Sequence, residues 1–201
     1  MTPIAPPKHK GWYSRSYLPH FDAPGLYQSL TFRLHDAIPQ EVLLRLEGEA
    51  RLGLITDLER RRNIEGYMDA GHGACWLRRP AVARIVHDVL MHFDGERYRL
   101  LAWCVMPNHV HVLMETFEGC PMDRVLTTWK SFSARKANAL LGREGPFWQR
   151  DYFDRYVRDG AHYDRLIFYI ENNPVKAGLV ESAQDWRFGS AAMRRDDGGR
   201  R

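Results

Sequence analysis

Apolar residues recur along this chain with two different periods, and the changes of period mark its elements. Residues 26–34 (LYQSLTFRL) are rich in aromatic and β-favouring types and predict a first strand. Over 39–70 the spacing widens. Val42, Leu43, Leu46, Leu52, Leu54, Ile55 and Leu58 recur at mixed three- and four-residue intervals, the pattern of helix, until Gly71-His72-Gly73 ends it. Pro80 suits the first helical position of a second helix, which carries Val82, Ile85, Val86, Val89, Leu90 and Phe93 on one side and stops at Gly95. Residues 98–106 and 109–115 predict two strands joined by a turn at Pro107-Asn108, an antiparallel hairpin. A helix follows over 121–141, with Met122, Val125, Leu126, Trp129, Phe132 and Ala137 inward and Arg124, Lys130, Arg135 and Lys136 outward. A strand is expected at 153–157 and a last main helix at 161–172. That helix is expected to end before Asn173-Pro174, because proline disfavours helical geometry in the residue before it.

The order is therefore β, a helical insertion, then α, β, β, α, β, α. Without the insertion it is βαββαβ plus one helix. This predicts an α+β chain with a ferredoxin-like core: an antiparallel sheet, helices on one face, and an added C-terminal helix. Residues 1–24, with Pro3, Pro6, Pro7, Pro19 and Pro24, read as an irregular lead-in. Residues 25–190 read as one domain with its helical insertion at about 38–79, and 191–201 as a basic, disordered tail.

Composition narrows the class. The chain has 201 residues, 44% hydrophobic and 27% charged, enough for a core and too apolar for wholesale disorder. No apolar run approaches the ~18 residues of a membrane span, and the N-terminus lacks the apolar stretch of a signal peptide. Cys75, Cys104 and Cys120 form no C-x-x-C pair, which favours a reducing cytoplasm over a disulfide framework. The formal charge is +4, and of 29 basic residues only five are Lys. The arginine excess suits a phosphate-bearing partner, and a GC-rich coding bias accounts for it equally well.

Four positions could carry chemistry. His109 and His111 flank Val110 on a predicted strand, so both imidazoles share one face. A histidine pair on a core strand is costly without partners, and either a divalent metal or hydrogen bonds would supply them. On the last helix His162, Arg165, Tyr169 and Asn173 share a side. Tyr169 could be a nucleophile toward a phosphate or a boundary tyrosine with a bonded tip. Asn173 could be a third metal ligand or a helix C-cap. His72 and Cys75 lack a second ligand pair, and no phosphate-binding G-x-x-x-x-G-K-[ST] loop is present. Asp151, Asp154 and Asp159 are expected to pair with Arg150, Arg155 and Arg158. Of Trp148, Tyr152, Phe153 and Tyr156, half are expected in the core, the rest free to stack on bases.

Three segments in order, 103–114 (WCVMPNHVHVLM), 147–158 (FWQRDYFDRYVR) and 169–180 (YIENNPVKAGLV), with DWRFGS at 185–190, resemble the REP-associated tyrosine transposases. These are IS200-like relatives of the single-tyrosine HUH transposases, and the resemblance covers roughly residues 25–190. It implies a ferredoxin-like core, a nucleophile at Tyr169, and a divalent metal, Mg²⁺ or Mn²⁺, on His109, His111 and Asn173. It further implies cleavage and rejoining of single-stranded DNA beside a palindromic hairpin, through a 5′-phosphotyrosine. Arg165, Lys176, Lys130 and Arg150 are the candidate DNA contacts. The expected partner is single-stranded or hairpin DNA and no membrane. The expected setting is cytoplasmic and nucleoid-associated, as a monomer or homodimer. A catalytically silent DNA-binding protein and a metal-dependent hydrolase of small phosphoesters are the rivals.

Overall fold

A computed structural model describes residues 7–14 and 19–198. In chain order the elements are β1 (Gly11–Ser14), β2 (Pro19–Asp22), β3 (Gln28–Arg33), α1 (Gln40–Arg51), α2 (Asp57–Asp69), α3 (Pro80–Met91), β4 (Tyr98–Val105), β5 (His109–Thr116), α4 (Met122–Leu141), β6 (Phe153–Tyr156), α5 (Gly160–Lys176) and α6 (Ser190–Gly198).

The main sheet has the order β4-β5-β3-β6, every neighbouring pair antiparallel. With β3 as the first core strand, this is the ferredoxin-like arrangement that the element order implies. Strand alternation divides the sheet into two buried faces. Leu30 and Phe32 of β3, Leu100, Trp103 and Val105 of β4, and Val110, Val112 and Met114 of β5 meet α3 and α4 in the larger core. Ala102 and Cys104 of β4 and Leu113 of β5 meet Ile170 of α5 on the opposite face. A register shift between Leu100 and Ala102 lets β4 serve both. The inner strand β5 is thus buried on both sides along nearly its whole length, its two histidines included.

The insertion forms α1 and α2. A capping box of Thr56 and Glu59 starts α2, and Leu46, Ile64, Met68 and Ile38 make a small core against Phe153 of β6. This places α2 beside the α5 face of the sheet.

Three expectations need correction. The lead-in at 1–24 contains a two-stranded ribbon, with Trp12 opposite Phe21 and Tyr13 opposite His20. Long-range bonds hold it: His9 to Asp22 (2.9 Å), Tyr13 to Tyr152 (2.7 Å), and His20 to Asp154. Pro19 is tolerated because it opens its strand. Secondly, α5 does not end before Asn173-Pro174 but runs on to Lys176. Pro174 forfeits one bond, to the Ile170 carbonyl, near the helix end where the loss is small. Asn173 and Pro174 are buried, and the Ala177 and Leu179 N–H groups take the Asn173 and Pro174 carbonyls at 2.9 Å each. Packing therefore overrides the local preference. Thirdly, the expected disordered tail begins as α6. Buried Ser190 anchors it, accepting from the Trp103 N–H (3.1 Å) and donating to Glu171 (2.7 Å). Residues 199–201 lie outside the described residues.

Candidate active site

β5 sends His109, His111 and Leu113 to the α5 face. The turn at Pro107-Asn108, closed by the Met106 N–H on the His109 carbonyl (2.8 Å), sets the first of them. Both imidazoles are fully buried, and their Nε2 atoms stand 3.0 Å apart with the rings nearly perpendicular. Each ring is fixed from behind. Asn108 Nδ2 donates to the His72 carbonyl (3.0 Å), so its Oδ1 must be the atom facing His109 Nδ1 at 2.7 Å. His109 therefore carries its proton on Nδ1 and leaves an Nε2 lone pair. Thr31, directly across the sheet, holds His111 Nδ1 at 2.8 Å. The His72 carbonyl depends on Gly73, whose φ of +81° and 2.4 Å approach of a notional Cβ to the Asp36 carbonyl admit only glycine.

Burial keeps both imidazoles neutral. His109 is held well below the usual histidine range by desolvation, then by His111 and Lys176. His111 is pushed down to about 3 by desolvation, then by Lys176.

α5 brings the other two candidates to the same place. Asn173 is 1% exposed, and its Nδ2 lies 3.3 Å from His111 Nε2. The Tyr169 ring stands 5.4 Å from the His111 ring. Tyr169 Oη and Asn173 Oδ1 are both buried without a hydrogen-bond partner. Rotating the Asn173 amide exchanges its oxygen for its nitrogen at no steric cost. The result is two imidazole nitrogens and an amide oxygen converging, a donor set that suits Mn²⁺ or Mg²⁺. Adjacent corners of an octahedron with ~2.1 Å bonds are about 3 Å apart, which the two Nε2 atoms match. Among the described residues no three His, Cys, Asp or Glu side chains form a ligand group by themselves.

Asp69 and Glu65, from the insertion helix, are the residues that the sequence does not reveal. Asp69 Oδ1 lies 3.9 Å from His109 Nε2 with no hydrogen bond, while Oδ2 accepts from Lys176 Nζ at 2.7 Å. Glu65 lines the same cleft as Tyr169, with Arg61, Arg62, Thr31, Phe153 and Arg155. Burial, then Asp69, raises the Glu65 carboxyl. Burial, then the charges of Glu65 and Asp69, raise the Tyr169 phenol. The four-residue spacing of Glu65 and Asp69 signals a shared helix face. Nothing local says that this face looks at Tyr169.

The candidate DNA contacts separate into two groups. Lys176 is at the site, bound to Asp69, and exposed Arg165 precedes Tyr169 by one turn of α5. Lys130 belongs to α4, across the sheet, where its Nζ donates to the Gln149 and Arg150 carbonyls (2.6 and 2.7 Å). Exposed Arg150 stays beside it. Two of the expected carboxylate pairs also differ. Asp154 accepts from the ribbon's His20 and Phe21 N–H, and Asp159 caps α5. Trp148 and Tyr152 are core residues, and Tyr156 is exposed.

Residues 79–173 match the family described as Transposase IS200 like. Over that segment, slightly under half of its length, the chain is similar to IS200-like transposases. The matched segment opens at α3 and closes on Asn173, so it takes in both histidines and Tyr169 and leaves out α2. Two curated proteins are similar to about half of the chain. One is the REP-associated tyrosine transposase of Escherichia coli K12, 29% identical over 102 residues, 51% of this chain and 59% of that protein. Another, of Haemophilus influenzae Rd and similarly named, is 28% identical over 103 residues, 46% of this chain and 58% of that protein. The match thus spans under two thirds of the length of these relatives. A solved REP-associated tyrosine transposase bound to a REP hairpin shares the fold with a TM-score of 0.58 and 17% identity, covering 91% of this chain and 87% of that one.

Proposed function

We propose that this protein is a metal-dependent transposase-type nuclease and strand transferase acting on single-stranded DNA beside a palindromic hairpin. Residues 25–190 act as one unit, monomer or homodimer, in the cytoplasm at the nucleoid. One observation carries this: Tyr169 and Asn173, one turn apart on α5 and each with a buried, unpartnered oxygen, stand beside a histidine pair, Asn173 through its amide nitrogen. An unsatisfied buried polar group costs about 1–3 kcal/mol, a cost that a bound cation and phosphate would offset.

His109, His111 and Asn173 would hold the cation. A divalent ion there supplies Lewis-acid polarisation of the scissile phosphate. Asn108 holds His109 in the tautomer that presents Nε2, and Thr31 orients the His111 ring. Tyr169 Oη attacks phosphorus in line. The Oη–P bond forms, the P–O3′ bond breaks, and O3′ leaves as a hydroxyl after taking a proton. The product is a 5′-phosphotyrosine whose ester energy supports rejoining without ATP. The raised Tyr169 phenol is protonated at neutral pH, so its proton departs during the attack. His162 does not take it directly. It is seven residues away, about 10 Å along the helix, and its Nδ1 accepts the Arg158 N–H. Arg165 and Lys176 are the contacts for neighbouring phosphates.

The test is incubation with Mn²⁺ and labelled hairpin oligonucleotides bearing single-stranded flanks. A denaturation-resistant adduct that maps to Tyr169 is expected. Tyr169→Phe should retain hairpin binding and lose the adduct. Cleavage by Tyr169→Phe, or tight binding with no adduct from the wild type, would overturn the nuclease assignment.

A further inference from the structure

We infer that the N-terminal ribbon and the β6 edge form a stacking site for one unpaired nucleobase of the strand that enters the Tyr169 cleft. This deepens the function proposed above and rests on it. Trp12, on β1, is 66% exposed, an unusual placement for the largest apolar side chain on a four-residue strand. Its ring lies 5.0 Å from Phe21, and Phe21 lies 6.1 Å from Tyr156, which is itself 40% exposed. The three rings wall an open cavity of about 260 Å³, completed by Arg61, Arg155 and Arg158.

The chemistry of the cavity is aromatic and cationic. Its one carboxylate, Asp154, is turned away: one oxygen meets His20 and the other accepts the Phe21 N–H at 3.2 Å. Arg61, Arg155 and Arg158 form no ion pair with a carboxylate within 4 Å among the described residues, and Arg61 Nε is buried without a partner. π-faces beside unpaired guanidinium groups suit a base flanked by phosphates, since stacking tolerates every base and guanidinium grips phosphate oxygens.

Arg61, Asp154 and Arg155 line both this cavity and the cleft that holds Tyr169, Thr31 and Glu65. A strand whose phosphate lies at Tyr169 passes Arg61 and Arg155 and reaches the rings without leaving charged surface. The insertion helix contributes Arg61 and Arg62, so this channel exists only because α2 lies beside β6.

The experiment compares one hairpin oligonucleotide with and without its single-stranded flank, the flank carrying 2-aminopurine at successive positions. In the wild type, one flank position should show quenched 2-aminopurine fluorescence, and the flank should raise affinity. Trp12→Ala should abolish the quench and remove about tenfold in affinity for the flanked oligonucleotide, with Trp12→Phe restoring most of it. Because Trp12 is largely exposed, its removal leaves the core intact, and Tyr156→Ala gives an independent second reading. If both alanine variants keep the wild-type preference for the flank and the wild-type quench, the stacking site is wrong. Adduct formation on Tyr169 separates the two levels. A wild type that forms the adduct while Trp12→Ala changes nothing sinks the stacking site alone. Loss of flank binding in Trp12→Ala, with no adduct from the wild type, keeps the site and removes the cleavage chemistry.

Discussion

Asp69 Oδ2 accepts a hydrogen bond from Lys176 Nζ at 2.7 Å, which ties the insertion helix to the last turn of α5. Through this tie, two carboxylates from outside the IS200-like segment stand within the electrostatic reach of Tyr169. Both raise the phenol, so neutralising either should lower it. Glu65→Gln and Asp69→Asn should each move the Tyr169 titration to lower pH, Glu65→Gln by more. Carbon-13 labelling of the tyrosine Cζ atoms reads this directly. An unmoved titration would mean that solvent screens the phenol from α2.

Thr31 sets the orientation of His111 from the neighbouring strand. Thr31→Val keeps the shape and removes the hydroxyl. Partners of this kind are worth about 10–100-fold in metal affinity. Calorimetric titration with Mn²⁺ should show a loss in that range, without unfolding. An unchanged affinity would show that packing alone orients the ring.

The histidine pair also predicts a pH dependence of stability. The unfolded chain binds protons at these positions below the ordinary histidine value of ~6.5. The folded chain resists protonation, His111 down to about 3. Stability is therefore full above about pH 6.5 and falls as pH drops toward 3, because the unfolded state binds more protons over that window. His111→Gln should flatten this acid-side slope in melting temperatures recorded across the range. A variant with the wild-type slope would place the acid sensitivity elsewhere.

Tyr98 offers a control remote from the chemistry. Its hydroxyl donates to the Leu90 carbonyl (2.8 Å) and accepts from Trp129 Nε1 (2.9 Å) inside the larger core. Tyr98→Phe leaves the indole N–H unpaired, and denaturant unfolding should register a loss of about 1–3 kcal/mol. Adduct formation below the melting range should persist.

What the sequence makes legible follows the reach of local rules. His109 and His111 are visible because strand alternation alone puts them on one face. Tyr169 and Asn173 are visible because helical periodicity stacks them one turn apart. The order of elements yields the sheet because ferredoxin-like topology follows from which neighbours are strands. Glu65 and Asp69 are not visible, since their role depends on where α2 docks, and Phe153 decides that from far along the chain. The ribbon is hidden for a similar reason. Its strands are four residues long and rely on Tyr152 and Asp154, more than 130 positions away, for their anchoring. Pro174 misleads because the rule against helix before proline is a preference that burial of Asn173 outweighs. Lys130 misleads because charge on a helix surface does not tell which side of the sheet that helix covers.

The continuation of α5 through Pro174 makes Tyr169 and Asn173 parts of one stiff rod. Under the function proposed above, a DNA end joined to the phenol would ride on the same helix that would complete the cation's coordination. A swing of that rod would take cargo and ligand together. The loaded tyrosine would then be parted from its electrophilic assistance until the rod returned, so that moving the strand would also protect its bond.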